Sequence, residues 1–157
     1  EDIRYYDASF SSIHKIMNST GASILQPNVV PLNHGKFGPY IDPKSSCLVN
    51  TTSFVEIQAP LFTSFAWNKF HQSVLSRIED ELLFRSAWVD PLWCSFVEYN
   101  MKSYCVFSRS TVVKHLNLKT MNKTKNRHVM DFGRLPKIVG RYVRFPSHKE
   151  RFVDCLM

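Results

Sequence analysis

Acidic residues at two places in this chain, with an apolar and aromatic segment between them, are the side chains best suited to chemistry. Glu1-Asp2-Ile3 opens the sequence, Ser53–Phe62 forms the apolar segment, and Ala87-Trp88-Val89-Asp90 follows. Carboxylates at strand ends bind a divalent cation, and a bound cation can hold a diphosphate. A further carboxylate can deprotonate an acceptor hydroxyl. These residue types suggest a carboxylate-and-metal site for sugar transfer.

Glu56 and two tryptophans are candidates for contacting a substrate. Glu56 lies in an apolar segment predicted as a strand, where an unpaired carboxylate is costly. We expect it to face a cleft and contact an acceptor, with a structural ion pair as the alternative. Trp88 and Trp67 could each stack on a sugar face. Trp67 falls in the apolar stripe of a predicted helix and is expected in the core, so Trp88 is the preferred acceptor-binding residue.

The elements predicted for the first part of the chain begin with a strand end or loop over residues 1–6. A helix over 9–17 follows, with Gly21 as its stop. A short strand over 23–27 ends at Pro27, because proline cannot continue a ladder. The Pro, Gly and Asn content marks 28–50 as a long loop.

The second part of the chain continues the alternation of strands and helices. A strand covers 53–62, and Thr63 or Ser64 then caps a helix that runs to about Ile78. Asp90 and a proline after it start another helix, since proline is favoured in a first helical turn. Residues 103–116 are strand-like. The pattern predicts an α/β fold, a mixed sheet with flanking helices.

Composition favours one compact domain and places the excess positive charge late in the chain. The 157 residues are 44% hydrophobic and carry a net charge of +7. Residues 119–157 contain ten of the 20 lysines and arginines but only three acidic residues. Such a tail can bind nucleic acid, anionic lipid or polyanionic glycans, and a solvated surface is the alternative. We do not expect nucleic acid as the main partner.

Cysteines and glycosylation patterns bear on the compartment. The four cysteines lack zinc-type spacing, so a structural metal site is not expected, and the sequence allows one or two disulfides. Asn18-Ser19-Thr20, Asn50-Thr51-Thr52 and Asn122-Lys123-Thr124 match the N-glycosylation acceptor pattern. We expect the secretory pathway, in the Golgi lumen. No leader or membrane span occurs in these residues, so membrane attachment would need a segment outside this chain.

Five short motifs occur in a fixed order along residues 1–118. They are Glu1-Asp2-Ile3, Gln26-Pro27, Val55–Phe62, Trp88-Val89-Asp90 and Val113-Lys114-His115. Their order and spacing resemble a plant-rich group of uncharacterised proteins, sometimes labelled lysine-ketoglutarate-reductase trans-splicing-related. That group is regarded as related to GT-A-type glycosyltransferases. The sequence departs from the group's pattern in the valine after the tryptophan, the lysine before the histidine, and the missing Asp before Glu1.

The resemblance implies a domain division and a set of site residues. Residues 1–118 would be a partial, acceptor-side GT-A-like glycosyltransferase domain, and 119–157 a basic C-terminal extension. Asp2 and His115 would ligate Mn²⁺ or Mg²⁺, and Asp90 would be the catalytic base, with helix capping as its alternative role. The partners would be a nucleotide-sugar donor and a hydroxyl acceptor. The nucleotide-binding half would precede Glu1, so this chain alone is expected to be inactive.

Two other functions fit the same sequence. One is a non-catalytic module of the same fold that binds a glycan or a protein, because fold alone does not fix function. The other is nucleic-acid binding through the basic tail, whose affinity would fall steeply with salt.

Overall fold

The described part of the chain forms one mixed sheet with helices on both faces. The computed structural model describes residues 3–5, 7–30, 46–55, 59–77, 90–115 and 152–156. The strands are β1 (Ile3–Tyr5), β2 (Ile24–Val30), β3 (Val49–Thr52), β4 (Leu61–Phe62), β5 (Cys105–His115) and β6 (Phe152–Cys155). The helices are α1 (Asp7–Thr20), α2 (Ser64–Ser73) and α3 (Asp90–Met101), with a 3₁₀ turn at Leu75–Arg77.

β5 is the central strand of the sheet. The strand order is β4-β2-β5-β3-β6, and β1 also pairs with β5. β2 runs parallel to β5, whereas β1 and β3 run antiparallel to it. β3 pairs with the first half of β5 and β1 with its end. The predicted class, a mixed α/β sheet with flanking helices, is confirmed.

α1 covers one face of the sheet. Ile13 and Ile16 lie three residues apart, so they project from the same side of the helix, and they pack on Leu25, Val49 and Val106. The helix was predicted over 9–17 and is longer in the structure, Asp7–Thr20, with Gly21 as the predicted stop. Gly21 has a φ of +74°, a conformation that glycine adopts at low cost, and its N–H donates to the carbonyl of Met17 at 2.9 Å.

α2 and α3 cover the opposite face. The fully buried Phe70 of α2 meets Phe96 of α3 edge-on, with ring centroids 5.3 Å apart. Around them lie the other buried residues of this cluster, which are Ile24, Val55, Ala66, Val74, Leu92, Trp93, Cys94, Val97 and Cys105. The predicted cap is confirmed, because the Thr63 hydroxyl accepts a hydrogen bond from the Ala66 N–H at 3.2 Å.

Several predicted features are wrong in their details. The helix predicted to run to about Ile78 ends at Ser73, and a separate 3₁₀ turn follows it. β2 does not end at Pro27 but continues to Val30, and its register with β5 shifts immediately after Pro27. Proline is tolerated at such irregularities. The predicted strand over 53–62 is strand only at Leu61–Phe62 among its described residues. β3 begins in the last two residues of the predicted loop, 28–50, and ends just before the predicted strand. Trp67 is 43% exposed rather than part of the core.

Two disulfides use all four cysteines. Cys47–Cys155 joins the residue two before β3 to the end of β6, and Cys94–Cys105 joins α3 to the start of β5. β6 lies within the segment predicted as a basic extension, and it pairs with β3. The end of that segment is therefore part of the same sheet as the preceding domain. None of the described helices combines the length and apolar character that a membrane span needs.

Candidate functional site

One predicted metal ligand, His115, is the last residue of β5. Ile3, the residue directly after Asp2 in the chain, is the register partner of His115. Asp2 lies outside the described residues, and for His115 only the backbone is described. The structure thus pairs Ile3 with His115 at one corner of the sheet, where β1 meets β5. We call this the β1–β5 corner (Ile3–Tyr5 with Val112–His115).

Two cations face each other across the β1–β5 corner. Arg4 and Lys114 are register partners, so their Cβ atoms project from the same face, and both side chains are exposed. Like charges in this arrangement repel each other. A bound anion would relieve that repulsion, and diphosphate oxygens are suitable acceptors for both side chains. The corner therefore presents an arrangement suited to an anionic ligand.

The other face of the corner is apolar. Ile3 and Tyr5 pack with the buried Val29 and Val113, and the Tyr5 ring stacks on Phe10 with centroids 5.0 Å apart. Burial raises the pKa of Tyr5 above its ordinary value of 10.0, because it disfavours the phenolate. The Tyr5 hydroxyl is therefore protonated at neutral pH.

A bulge in β5 lies between the segment that pairs with β3 and the segment that pairs with β1. Pro27 pairs with Ser108 and Asn28 with Val112, so residues 109–111 have no counterpart in β2. Hydroxyls close the bulge. The fully buried Ser108 Oγ donates to Thr111 Oγ1 at 3.1 Å and accepts from the Thr111 N–H at 3.2 Å. Bulges of this kind re-aim the side chains that follow them.

The sequence analysis did not assign any role to this bulge, although a signal for it is present. Ser108-Arg109-Ser110-Thr111 interrupts an otherwise apolar run from Cys105 to Val113. Four consecutive polar residues break the two-residue alternation of a regular strand. Such a break inside a buried strand indicates an irregularity.

Asp90, the predicted base, is the first residue of α3, as the sequence predicted, and its backbone alone is described. It lies about one helical turn from Cys94, whose Cα is 5.5 Å from that of Cys105 at the start of β5. Cys105 pairs with Ile24 of β2, and Lys114 pairs with Val30. The distance along β2 between these two residues is about 20 Å. The Cα atoms of Asp90 and Lys114 are thus separated by roughly 8 Å or more.

α3 and the Arg4–Lys114 pair share one face of the sheet. Ile24 packs in the α2 and α3 cluster, and Asn28, four residues later in β2, points to the same side by strand alternation. Asn28 pairs with Val112, and Lys114 follows two residues on. A helix start carrying Asp90 and a cationic pair therefore flank the same surface.

Two predicted acceptor-binding residues, Glu56 and Trp88, lie outside the described residues. Trp67, considered with them, packs edge-on against Phe62 with centroids 5.4 Å apart and sits 6.2 Å from the His71 ring. Among the described side chains, no group of three or more His, Cys, Asp or Glu could hold a metal ion. Neither Asp2 nor the side chains of Asp90 and His115 belong to that set.

Comparison with known proteins does not assign this chain to a family. No family model, no curated protein and no solved structure matches the chain.

Proposed function

We propose that this chain is part of a metal-dependent glycosyltransferase that moves a sugar from a nucleotide-sugar to a hydroxyl acceptor. One observation carries the proposal. The strand that follows Asp2 pairs with the end of β5, and Ile3 stands opposite His115. A GT-A-like scaffold would bring its acidic element and a late histidine together in this way.

The proposal assigns the donor diphosphate to the β1–β5 corner. Asp2 and His115 would ligate Mn²⁺ or Mg²⁺, and the metal would neutralise the leaving diphosphate. Arg4 and Lys114 are exposed register partners on the face opposite to that of Ile3, the register partner of His115. They would add charge-assisted hydrogen bonds to a diphosphate that extends around the end of the strands to their face. Asp90 at the start of α3 would accept the proton of the acceptor hydroxyl.

A geometric condition accompanies the metal assignment. Neighbouring residues of a regular strand point to opposite faces, and register partners share a face. Asp2 precedes Ile3, and Ile3 pairs with His115. A metal held by both side chains therefore requires the backbone before Ile3 to depart from strand geometry.

The test is Mn²⁺-dependent hydrolysis and transfer with a panel of nucleotide-sugars, using the longest native chain that contains this domain. Asp90→Asn should lower kcat by at least about 10²-fold, the scale of a lost general base. Asp2→Ala should also lower kcat and should weaken the activation by Mn²⁺, because it removes a metal ligand. Glu98→Gln, which changes an exposed carboxylate on α3, is the matched control and should retain activity. Full activity in both site variants would refute the assignment.

A second measurement examines the cationic pair separately. A nucleoside diphosphate should bind the wild type more tightly than the Arg4→Gln and Lys114→Gln variants, by roughly 10-fold each if each side chain makes a charged hydrogen bond. Lys15→Gln, an exposed lysine on α1, is the control. Equal affinity of all four proteins would remove the diphosphate from this corner.

A non-catalytic module that binds a glycan is the second candidate. The observation that favours it is the exposure of Trp67 (43%) and Phe65 (64%) on α2. Exposed aromatic rings can stack on sugar faces. Glycan binding that is lost in Trp67→Ala, together with no turnover of any nucleotide-sugar, would favour this candidate.

A further inference from the structure

The three acceptor patterns for N-glycosylation are not equivalent in the folded chain. Asn18-Ser19-Thr20 lies at the end of α1, and Asn50-Thr51-Thr52 lies within β3. The third, 122–124, is outside the described residues. A glycan is bulky and needs a surface position, so the two described sites can be compared directly.

Asn18 occupies the solvent side of α1. Its side chain is exposed, and its Nδ2 lies 3.3 Å from Nδ1 of His14, which is also exposed. The buried residues of the helix, Ile13 and Ile16, project from the other side. A glycan on the Asn18 amide would extend into solvent without displacing any core side chain.

Asn50 has a different setting. It is half-buried in β3, with Phe107 of β5 as register partner on one side and Cys155 of β6 on the other. Thr52, the third residue of that acceptor pattern, is 5% exposed, and its hydroxyl donates to the carbonyl of Phe54 at 2.9 Å. A glycan on Asn50 would project from the sheet face beside its register partner Phe107, which is buried, and would interfere with the packing of that face in the folded protein.

The disulfides indicate the compartment in which such a modification occurs. All four cysteines are paired, and one bridge closes 108 residues of chain. Disulfides persist in secreted and endoplasmic reticulum proteins and are rare in the cytosol. This points to an oxidising environment, independently of the glycosylation patterns.

We infer that the native protein carries an N-linked glycan on Asn18 and none on Asn50. The donor is an oligosaccharide linked through a diphosphate to a lipid. The bond between the sugar C1 and the diphosphate oxygen breaks, the C1–Nδ2 bond forms, the amide loses one proton, and the lipid diphosphate leaves. The Thr20 hydroxyl donates to the Ile16 carbonyl at 2.7 Å in the folded helix, so the transfer precedes folding of α1. This inference does not depend on the glycosyltransferase proposal.

The experiment is expression of the chain through the secretory pathway of a eukaryotic cell, followed by glycosidase treatment and peptide mapping of the secreted, disulfide-bonded protein. All forms carry Asn122→Gln, which removes the third acceptor pattern. Any glycan detected is therefore attached to Asn18 or Asn50, apart from those at positions introduced on purpose. One glycosidase-sensitive mass step is expected, and it should disappear in Asn18→Gln and in Thr20→Ala. Asn50→Gln, the matched control, should leave the mass step unchanged.

A positive control keeps every result informative. Glu98→Asn combined with Asn100→Thr writes an acceptor pattern on the exposed surface of α3, and it should add a second mass step. An unoccupied Asn18 in a protein that is glycosylated at this engineered position would overturn the inference. A glycan mapped to Asn50 in the disulfide-bonded, secreted form would also overturn it.

Discussion

The Cys47–Cys155 disulfide should contribute more to stability than its position at a sheet edge suggests. It closes 108 residues, whereas Cys94–Cys105 closes 11. In the chain-entropy treatment, these loops correspond to about 4.8 and about 2.8 kcal/mol at 25 °C. Domains of this kind are stable by about 5–15 kcal/mol, so the longer bridge accounts for a large part of the total.

The comparison uses two double variants, Cys47→Ala with Cys155→Ala and Cys94→Ala with Cys105→Ala. Cys155 is exposed, but Cys94 and Cys105 are 3% and 1% exposed and pack in the core. Cys47 is also buried, at 5% exposed. Each buried sulfur atom that is removed adds about 1 kcal/mol to the cost, so the first variant loses one such atom and the second variant loses two. We therefore expect the difference in free energy of unfolding between the two variants to be about 1 kcal/mol, compared with about 2 kcal/mol from loop entropy alone. The Cys47 and Cys155 variant should still be the less stable.

Urea unfolding followed by tryptophan fluorescence gives the free energy of unfolding of each variant by linear extrapolation. Buried Trp93 contacts Phe62 and reports on the core. A loss below about 1 kcal/mol in the Cys47 and Cys155 variant would refute the loop-entropy argument, because native disulfides in small domains contribute about 2–5 kcal/mol.

Three further predictions follow from the described contacts. Phe70→Ala should lower the free energy of unfolding by about 3–5 kcal/mol, because the ring is fully buried. Trp67→Ala, at a 43% exposed position, should lower it much less. Urea unfolding measures both changes. Thr63→Ala should cost about 1 kcal/mol through loss of the α2 cap, and Ser64→Ala, at an exposed neighbour, should be nearly neutral in thermal unfolding. The raised pKa of Tyr5 stabilises the fold fully below pH 10.0, and this stabilisation is lost as pH rises through the raised value; Tyr5→Phe should abolish that pH dependence in alkaline unfolding curves.

Local signals predicted three helix boundaries correctly, although the bounds of α1 and the end of α2 differ from those predicted. The Thr63 cap, the start of α3 at Asp90 and the glycine stop at Gly21 each depend on a few neighbouring residues. Side-chain capping and left-handed glycines act within one helical turn, so sequence alone contains the necessary information. The strand-like 103–116 segment likewise became β5.

Features that depend on distant partners were not predictable in the same way. β6 pairs with β3 and is held by a disulfide to Cys47, more than a hundred residues earlier, and nothing in its own composition indicates this. Pro27 was expected to end a strand. Beyond Leu25, β2 has no described partner on its β4 side, which is a setting where a strand tolerates proline. For the candidate site, the sequence predicted which residues have suitable chemistry, and the pairing of Ile3 with His115 depended on folding.

The bulge in β5 determines which side chains the β1–β5 corner presents. Val106 and Ser108 are buried on the α1 side of the sheet, so strict alternation would turn positions 110, 112 and 114 inward as well. Residues 109–111 have no counterpart in β2. Inserting an odd number of residues exchanges the two faces to which the later side chains of β5 point. Val113 is consequently buried, and Lys114 is exposed beside Arg4. The hydroxyl bonds from Ser108 to Thr111 stabilise the bulge, and the cationic pair that we assign to a diphosphate depends on it.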